Sequence, residues 1–514
     1  MVVSKENALK YYNSLMDKVR EVIILNTAGG VIHWDMETKM PPKGIELRSL
    51  QLALLSKIEH RMLLDTQTSK LLDKVKEDST FNSLNKIQRR NVCLFKRLYD
   101  EAACLPETLV SEMAKQEAIA TDVWKKAKAT NNYLSFQPEL KKLLELKKKS
   151  ANLLMDVKEV STQYDALIDR FEPRITSYEI SRLFNELRRG LIAIITKCST
   201  LVDSFDTSFL KFKVPLNIQR DLSLSIANFL EYDVTSDKAG GRIDETEHPF
   251  TTGYYDDVRI TTHYYETDFI QALYSTLHEG GHAIYEQNLN QNWKYQLIGS
   301  ACSSGFHESQ SRFVENIIGR SPEFWTFYLP VLNKLTGEAF SNINVSQFVK
   351  AVNQVKPSKI RIQADEVTYS LHIIIRFEIE RDLFADKIQV EELPQIWNEK
   401  YEEYLGIEIE SDSEGVLQDT HWASGSFGYF PSYALGNIYS GQILAKMMKE
   451  LPEWKIQISK GDFKQIKQWL IDNVYAYGNQ FDPSDFIRNI TGEEVNVKPF
   501  LEYLNKKFSN IYGY

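Results

Sequence analysis

The chain has 514 residues, of which 43% are hydrophobic and 25% charged, an ordinary composition for a folded protein with a large core. The formal net charge is −9, and basic residues are mixed with acidic ones, so we expect neither a nucleic-acid nor an anionic-membrane partner. The N-terminus lacks the apolar core of a signal peptide, and no segment approaches 18 uncharged apolar residues. We therefore expect a cytoplasmic protein.

The four cysteines, Cys93, Cys104, Cys198 and Cys302, have no metal-knuckle or CxxC spacing, and we expect reduced thiols. Helical periodicity dominates the first 240 residues, as in 47–64 and 139–168, with breakers at 40–44, 105–107 and 171–174. The lysines at 141–149 are interpreted as the solvated face of an amphipathic helix. We predict an N-terminal helical half at 1–240 and a catalytic half at 241–514, joined as one continuous unit.

The region TTGYYDDVRITTHYY, from Thr251, is the one strand-like part of the chain, because Val258, Ile260 and Thr262 alternate with Arg259 and Thr261. We predict a mostly α fold of some twenty helices with a small antiparallel β-sheet. An edge strand here could hold an extended peptide in register.

The sequence HEGGH contains His278, Glu279 and His282, and it follows a run of helical character. Side chains four residues apart share a helix face, so both imidazoles can reach one Zn²⁺, with the glutamate beside the open position of the metal. This is the arrangement of a water-activating base in a zinc hydrolase. The structural alternative is a helix with two solvated or packed histidines, and the glycines then need a packing or access reason.

A catalytic zinc needs a third protein ligand. Glu286 lies one further turn along the helix and cannot reach the metal with both histidines. Glu308, in HESQSRFVEN, is the better candidate, and Glu315, seven residues later on the same face, is expected to orient a ligand. The alternative for Glu308 alone is an exposed carboxylate favoured by a helix N-terminus.

Seven of the nine histidines fall between His248 and His421, among short segments rich in Arg, Asp, Tyr and Gly. In chain order these segments are HPF (248–250), DVRIT (257–261), HEGGH (278–282), HESQ (307–310), IRIQAD (360–365) and GVLQDTHW (415–422). In order and spacing they resemble the carboxypeptidase Taq family of thermostable zinc metallocarboxypeptidases. The resemblance extends to HWDMETKMPPKG at 33–44 and to SGSFGYFPSYALGNIYSGQ from Ser424.

The resemblance implies a large, neurolysin-like helical body with a deep groove, a homodimer, and Zn²⁺ that Co²⁺ may replace. It also implies His278, His282 and Glu308 as metal ligands, with Glu279 as the general acid and base. Glu279 would take a proton from the water activated by the metal and deliver it to the leaving amine.

Substrate recognition calls for a cation that binds the terminal carboxylate, and arginine suits this because its guanidinium donates two parallel hydrogen bonds. Arg361 is favoured by its motif. Arg259 is the other candidate, although Asp257 lies on the same face and the two could form a structural ion pair.

An oxyanion also needs preorganised donors. His421 and Tyr433 look like the downstream His and Tyr of related helical zinc peptidases, although most tyrosines only pack. Tyr429 and Gln418 are further candidate substrate contacts. His248 is either a substrate contact or a residue that orients a ligand.

The sequence therefore predicts a zinc-dependent metallocarboxypeptidase that releases amino acids one at a time from peptides with a free C-terminus. The alternatives are an oligoendopeptidase or dipeptidyl carboxypeptidase of the same helical architecture, or a helical binding protein that keeps the zinc site without turnover. The intact Glu279 argues against the last, since a structural zinc needs no base.

Overall fold

The structure is a computed structural model that describes residues 5–199 and 205–514. Within these residues it contains 21 α-helices and three strands, so the predicted mostly α fold is confirmed. The helices that precede the strands are α1 (Lys5–Thr38), α2 (Ile45–Leu63), α3 (Thr66–Lys76), α4 (Asp78–Phe81), α5 (Lys86–Cys104), α6 (Glu107–Ala129), α7 (Tyr133–Lys158), α8 (Gln163–Ile168), α9 (Ser177–Ser199) and α10 (Leu216–Phe229).

The strands are β1 (Gly241–Glu245), β2 (Thr251–Tyr254) and β3 (Asp257–Thr262). The helices that follow them are α11 (Phe269–Gln287), α12 (Ser304–Arg312), α13 (Pro322–Leu335), α14 (Val345–Val352), α15 (Tyr369–Phe384), α16 (Leu393–Leu405), α17 (Pro431–Glu450), α18 (Trp454–Ser459), α19 (Lys464–Asn473), α20 (Pro483–Thr491) and α21 (Lys498–Tyr512). A π-helical turn, Phe313–Ile318, continues α12.

The three strands form one mixed sheet in the order β1-β3-β2, so the prediction of an antiparallel sheet was wrong in this respect. β1 runs parallel to β3, with Ile243 opposite Ile260, while β2 runs antiparallel to β3. The region from Thr251, predicted as one strand, is a hairpin, because Tyr255 adopts a φ of 49° and turns the chain. β3 therefore lies in the centre of the sheet, and β1 and β2 form its two edges.

Buried apolar side chains form two separate clusters. The larger core contains residues from Ala120 to Tyr512 and so crosses the boundary predicted at residue 240; that division itself stays a prediction. The smaller core lies among α1, α3, α5 and their neighbours, and Leu297 packs against it. There the buried Asn91 of α5 donates a hydrogen bond to Gln296 (2.7 Å) and accepts one from the backbone N–H of Ile298 (3.0 Å).

Two positions allow α12 to lie very close to its neighbours α11 and α17. A Cβ at Gly281 of α11 would lie 2.7 Å from the Cα of Ser311 and 2.8 Å from the carbonyl oxygen of Gln310. A Cβ at Gly436 of α17 would lie 2.9 Å from the Cβ of Glu308. These close approaches are the packing reason that the HEGGH glycine at 281 required.

None of the described helices is long and apolar enough to span a lipid bilayer. The expectation of no signal peptide rests partly on residues 1–4, which lie outside the described part of the chain.

Candidate metal and catalytic site

Three side chains predicted as metal ligands converge between α11 and α12. The Nε2 atoms of His278 and His282 lie 3.7 and 3.5 Å from the Oε2 atom of Glu308. Zinc bonds of about 2.0–2.2 Å at tetrahedral angles place ligand atoms about 3.3–3.5 Å apart. The arrangement of these three donors therefore fits a zinc ion. Nitrogen and carboxylate ligands from three residues also leave a coordination position for a reactant, as catalytic sites require.

Each ligand is oriented by a neighbour. The Nδ1 atom of His278 lies 2.8 Å from Glu315, as the sequence predicted, and its Nε2 faces the metal position. The ring of His282 stacks on that of His307 at 4.2 Å, and His307 pairs with Glu286 at 2.9 Å. Glu286 thus orients the surroundings of the site without being a ligand.

Electrostatics keep the third ligand ionised. Burial alone would raise the pKa of Glu308, but Arg312, which donates a 2.6 Å hydrogen bond from Nε, and the two imidazoles hold that pKa well below its usual range. Burial lowers the pKa of His282 to about 3, so its imidazole is neutral at pH 7 and offers a lone pair. Burial also acts to lower the pKa of His278, but Glu308 and Glu315 raise it overall.

Glu279 lies beside the ligands on the same helix and is buried. Its Oε2 atom accepts a 2.6 Å hydrogen bond from the hydroxyl of Thr251, the first residue of the edge strand β2. Burial raises the pKa of Glu279, although His278 and Thr251 oppose this. A carboxylate with a raised pKa accepts a proton more readily, as a general base must.

His421 and Tyr429 precede α17, and they lie together with Tyr433, which is in the first turn of that helix. The Nε2 atom of His421 is 3.5 Å from the hydroxyl of Tyr433, and the ring centres of the two tyrosines are 5.1 Å apart. Burial lowers the pKa of His421 to about 4 and raises that of Tyr433, so at pH 7 the imidazole is neutral and the phenol remains a donor.

Arg361 is buried and forms an ion cluster. It donates to Asp419 from Nη2 at 2.7 Å, and Arg376 donates to the same carboxylate at 2.6 Å. Burial would raise the pKa of Asp419, but the two arginines hold it far below its usual range. The guanidinium of Arg361 lies 5.2 Å from the ring centre of Tyr433, which brings this arginine to the His421 cluster.

Gln418 stabilises the backbone around Arg361. Its Oε1 atom accepts the backbone N–H of Arg361 (3.0 Å), and its amide nitrogen donates to the carbonyls of Glu414 (2.7 Å) and Lys359 (3.0 Å). In this structure the amide is engaged by the protein itself, and its predicted contact with substrate stays a prediction.

Arg259 forms the ion pair that was the alternative to substrate binding. It donates two 2.7 Å hydrogen bonds to Asp257 and stacks on Trp34 at 4.4 Å. It lines a cavity of about 780 Å³ between α1 and the β2–β3 hairpin. His248 lies on the exposed loop between β1 and β2, and no described contact joins it to the metal ligands.

Comparison with known proteins identifies the family. The sequence profile described as "Carboxypeptidase Taq (M32) metallopeptidase" matches residues 14–508. The chain belongs to this family. Carboxypeptidase 1 of Bacillus subtilis is 40% identical over 98% of this chain and 99% of its own, and thermostable carboxypeptidase 1 of Thermus thermophilus is 36% identical over the same shares. The crystal structure of the M32 carboxypeptidase from Deinococcus radiodurans R1, 32% identical, superimposes with a TM-score of 0.93 and covers 98% of this chain and 100% of its own.

Membership of the M32 family confirms the predicted metallocarboxypeptidase function and implies a divalent metal. The oligoendopeptidase and binding-protein alternatives are not favoured. A divalent metal, which the family implies, also agrees with the donor set of two imidazoles and a carboxylate described above.

Sequence reasoning missed several residues of this M32 site. Arg312 lies four residues after Glu308, and that helical spacing was a signal that could have found it. Asp419 stands inside GVLQDTHW, next to Gln418, but nothing local shows that it joins two arginines. Glu172 and Glu380, which accept hydrogen bonds from Ser432 and Trp422 near this site, have no local signal at all.

Proposed function

We propose that this M32 enzyme uses zinc and removes amino acids singly from peptides with a free C-terminus. His278, His282 and Glu308 would hold the ion, and the convergence of these three donor atoms carries the proposal. Co²⁺, which shares nitrogen and carboxylate ligands with zinc, is expected to substitute. A bound divalent cation supplies Lewis acidity, which polarises a water molecule and the scissile carbonyl.

The side chains supply the proton transfers. Glu279 takes a proton from the attacking water and later gives it to the leaving amine, a role supported by its raised pKa and by the hydroxyl of Thr251, which fixes its carboxylate. Tyr433 donates its phenolic proton as a hydrogen bond to the developing oxyanion, and His421 lies beside it. Tyr429 packs against the rings of His421 and Tyr433 and would contact the substrate beside them.

We assign the substrate carboxylate to Arg361 in preference to Arg259. Arg361 lies next to Tyr433 of α17. The same helix packs closely against the metal ligand Glu308 at Gly436, so Arg361 and the metal ligands belong to one site. Asp419 and Tyr369 leave part of its five-donor guanidinium free to bind a carboxylate. Arg259 pairs with Asp257, and no described contact joins it to the metal ligands or to Tyr433, so with His248 it is kept as a contact for more distant substrate residues.

The edge strand β2 is proposed to carry the peptide backbone. Its first residue, Thr251, contacts Glu279, so a peptide strand added to this edge would pass beside the base.

The test is mass spectrometry of a free-acid peptide and its C-terminally amidated twin, incubated with zinc- or cobalt-loaded enzyme. Single-residue losses from the free acid alone support the proposal, and a Glu279→Gln control should show none. Internal cuts in both peptides would instead support an endopeptidase. Arg361→Leu should reduce the preference for the free-acid peptide, whereas Arg259→Leu should retain that preference. The reverse result would show that Arg259 binds the terminal carboxylate.

The proposal includes a homodimer and a cytoplasmic location. On α2 the helical stripe Leu47, Leu50 and Leu54 is 58%, 62% and 58% exposed, which suits burial against a second copy. Light scattering of wild type and of Leu50→Glu tests this, because the substitution should favour the monomer. The four cysteines, all within the described part, are unpaired, as in a reducing compartment.

A further inference from the structure

Two buried carboxylates beside the site form no ion pair within the described part of the chain, although the charge of Arg376 acts on one of them, Glu380, from beyond ion-pair distance. Glu172, which follows α8, and Glu380 of α15 are both 0% exposed, and neither forms an ion pair with any residue in 5–199 or 205–514. Burial raises the pKa of each to about 7, although several hydrogen-bond donors oppose this. Burying a carboxylate without an ion pair lowers the stability of the fold. The groups that donate hydrogen bonds to each carboxylate therefore indicate which part of the site it positions.

The donors to Glu380 come from the segment that holds His421 and Tyr429. The indole Nε1 of Trp422, the residue after His421, donates to Oε1 at 2.8 Å. The backbone N–H of Gly428, the residue before Tyr429, donates to Oε2 at 2.9 Å. The hydroxyl of Tyr164 also donates to Oε2, at 2.8 Å.

The donors to Glu172 come from the next part of that segment and from the metal side. The hydroxyl of Ser432, the residue before Tyr433, donates to Oε1 at 2.9 Å. The backbone N–H of Gly305, three residues before Glu308 in α12, donates to the same oxygen. The hydroxyl of Tyr439, two turns into α17, donates to Oε2 at 3.3 Å.

Each candidate side chain of the segment is thus flanked by a residue that one of the two carboxylates holds. We propose that Glu172 and Glu380 are positioning residues that fix the segment from His421 to Tyr433 relative to the metal helices. Glu380 sets the orientation of His421 and Tyr429, and Glu172 joins the start of α17 to the start of α12. The inference rests on the roles proposed for His421 and Tyr433.

The two carboxylates respond differently to the same substitution. A glutamine has one acceptor oxygen and one donor group in place of two acceptors. At Glu380 the two oxygens face an indole N–H and a backbone N–H, which can only donate, so glutamine leaves one of them without an acceptor. At Glu172 glutamine can still accept from Gly305 and can donate to the hydroxyl of Tyr439, which can reverse its role.

The experiment compares Glu380→Gln, Glu172→Gln and the matched control Glu378→Gln by kcat, KM and zinc affinity. Glu378 lies on the same helix but pairs with Lys400 at 2.6 Å, away from the segment. We expect Glu380→Gln to lower kcat about 10–100-fold, the range seen for residues that orient a site, with KM and zinc affinity within about twofold of wild type. Glu172→Gln and Glu378→Gln should keep kcat within about threefold.

A Glu380→Gln enzyme with the kcat of the Glu378→Gln control would overturn the proposal, as would an equal loss of kcat in Glu378→Gln and Glu380→Gln. If Glu380→Gln does not fold, Trp422→Phe removes one donor without leaving an unpaired N–H, and a folded Trp422→Phe enzyme with full kcat would overturn it equally.

Tyr433→Phe separates this inference from the proposed function. Full activity in Tyr433→Phe contradicts the role of that hydroxyl, whereas a loss in Glu380→Gln still supports positioning, through His421. If both single variants lose kcat, the double variant should lose less than the product of the two effects, because Glu380 orients His421, which contacts the hydroxyl of Tyr433. A double variant whose kcat loss equals the product of the two single losses would count against a positioning role for Glu380.

Discussion

The two sides of the site are held by different means. On the metal side, α11 and α12 carry the ligands, and Glu308 pairs with Arg312 only four residues away. On the other side, Asp419 meets Arg376, 43 residues away, and Ser432 meets Glu172, 260 residues away. Helical spacing therefore places His278 with His282 and Glu308 with Arg312 locally, although α11 must still meet α12, whereas each of these contacts on the other side joins separate elements of the chain.

The largest expected effect separates chemistry from metal binding within one helix. Glu279→Gln removes the base but none of the three ligands, so kcat should fall by about 10²–10⁴-fold while the bound zinc stays stoichiometric. Steady-state kinetics together with metal analysis of the purified variant check this. Loss of zinc with activity would show that Glu279 supports the ligands instead.

The next largest effect concerns the side of the site that carries Asp419. Asp419→Asn leaves Arg361 and Arg376 buried without their shared carboxylate, so the free energy of unfolding should fall by about 3–5 kcal/mol. Urea unfolding of the zinc-free variant and wild type measures the difference. Zinc affinity of the folded variant should be nearly unchanged, because Asp419 contacts no ligand. An Asp419→Asn variant with the unfolding free energy of wild type but weaker zinc binding would contradict the idea that the two sides are held independently.

A smaller effect tests how closely the metal helices must approach. Gly281→Ala places a Cβ against the backbone of Ser311, so α11 and α12 must separate, and we expect a loss of about 1–3 kcal/mol in stability with weaker zinc binding. Gly280→Ala is the matched control, since its Cβ meets only the end of the Leu230 side chain at 2.5 Å, which can rotate. Equal zinc affinity in the two variants would show that the approach at 281 is not critical.

The smallest effect is a pH dependence. Burial raises the pKa of Glu172 to about 7, so the folded state binds this proton more tightly than the unfolded chain. The resulting stability is complete below the usual pKa of 4.5 and is lost as the pH rises through about 7. Between pH 7.5 and pH 6 the wild type should gain about 1 kcal/mol relative to Glu172→Gln. Urea unfolding at both pH values measures this, and a constant difference would mean that Glu172 does not titrate there.

The sequence predicted the parts of the molecule that local spacing determines. The helical body and the pairing of His278 with His282 follow from periodicity, and Glu308 was a candidate from its own segment that the family resemblance then implied as a ligand. The parallel pairing of β1 was missed, because strand order depends on where β3 inserts and not on alternation. Arg361 was predicted to bind the substrate carboxylate, but its ion pair with Asp419 was missed because the two residues are 58 positions apart.

The two apolar cores have a consequence for synthesis on the ribosome. The smaller core is built from helices of the first hundred residues. Asn91 within it donates to Tyr12 of α1, but it also donates to Gln296, and its carbonyl oxygen accepts from the backbone N–H of Ile298. A buried amide oxygen without a donor is unfavourable, so the nascent chain cannot complete this core until about two hundred further residues have emerged. The earliest-made helices should then remain open to chaperones and proteases until the segment after α11 has left the exit tunnel.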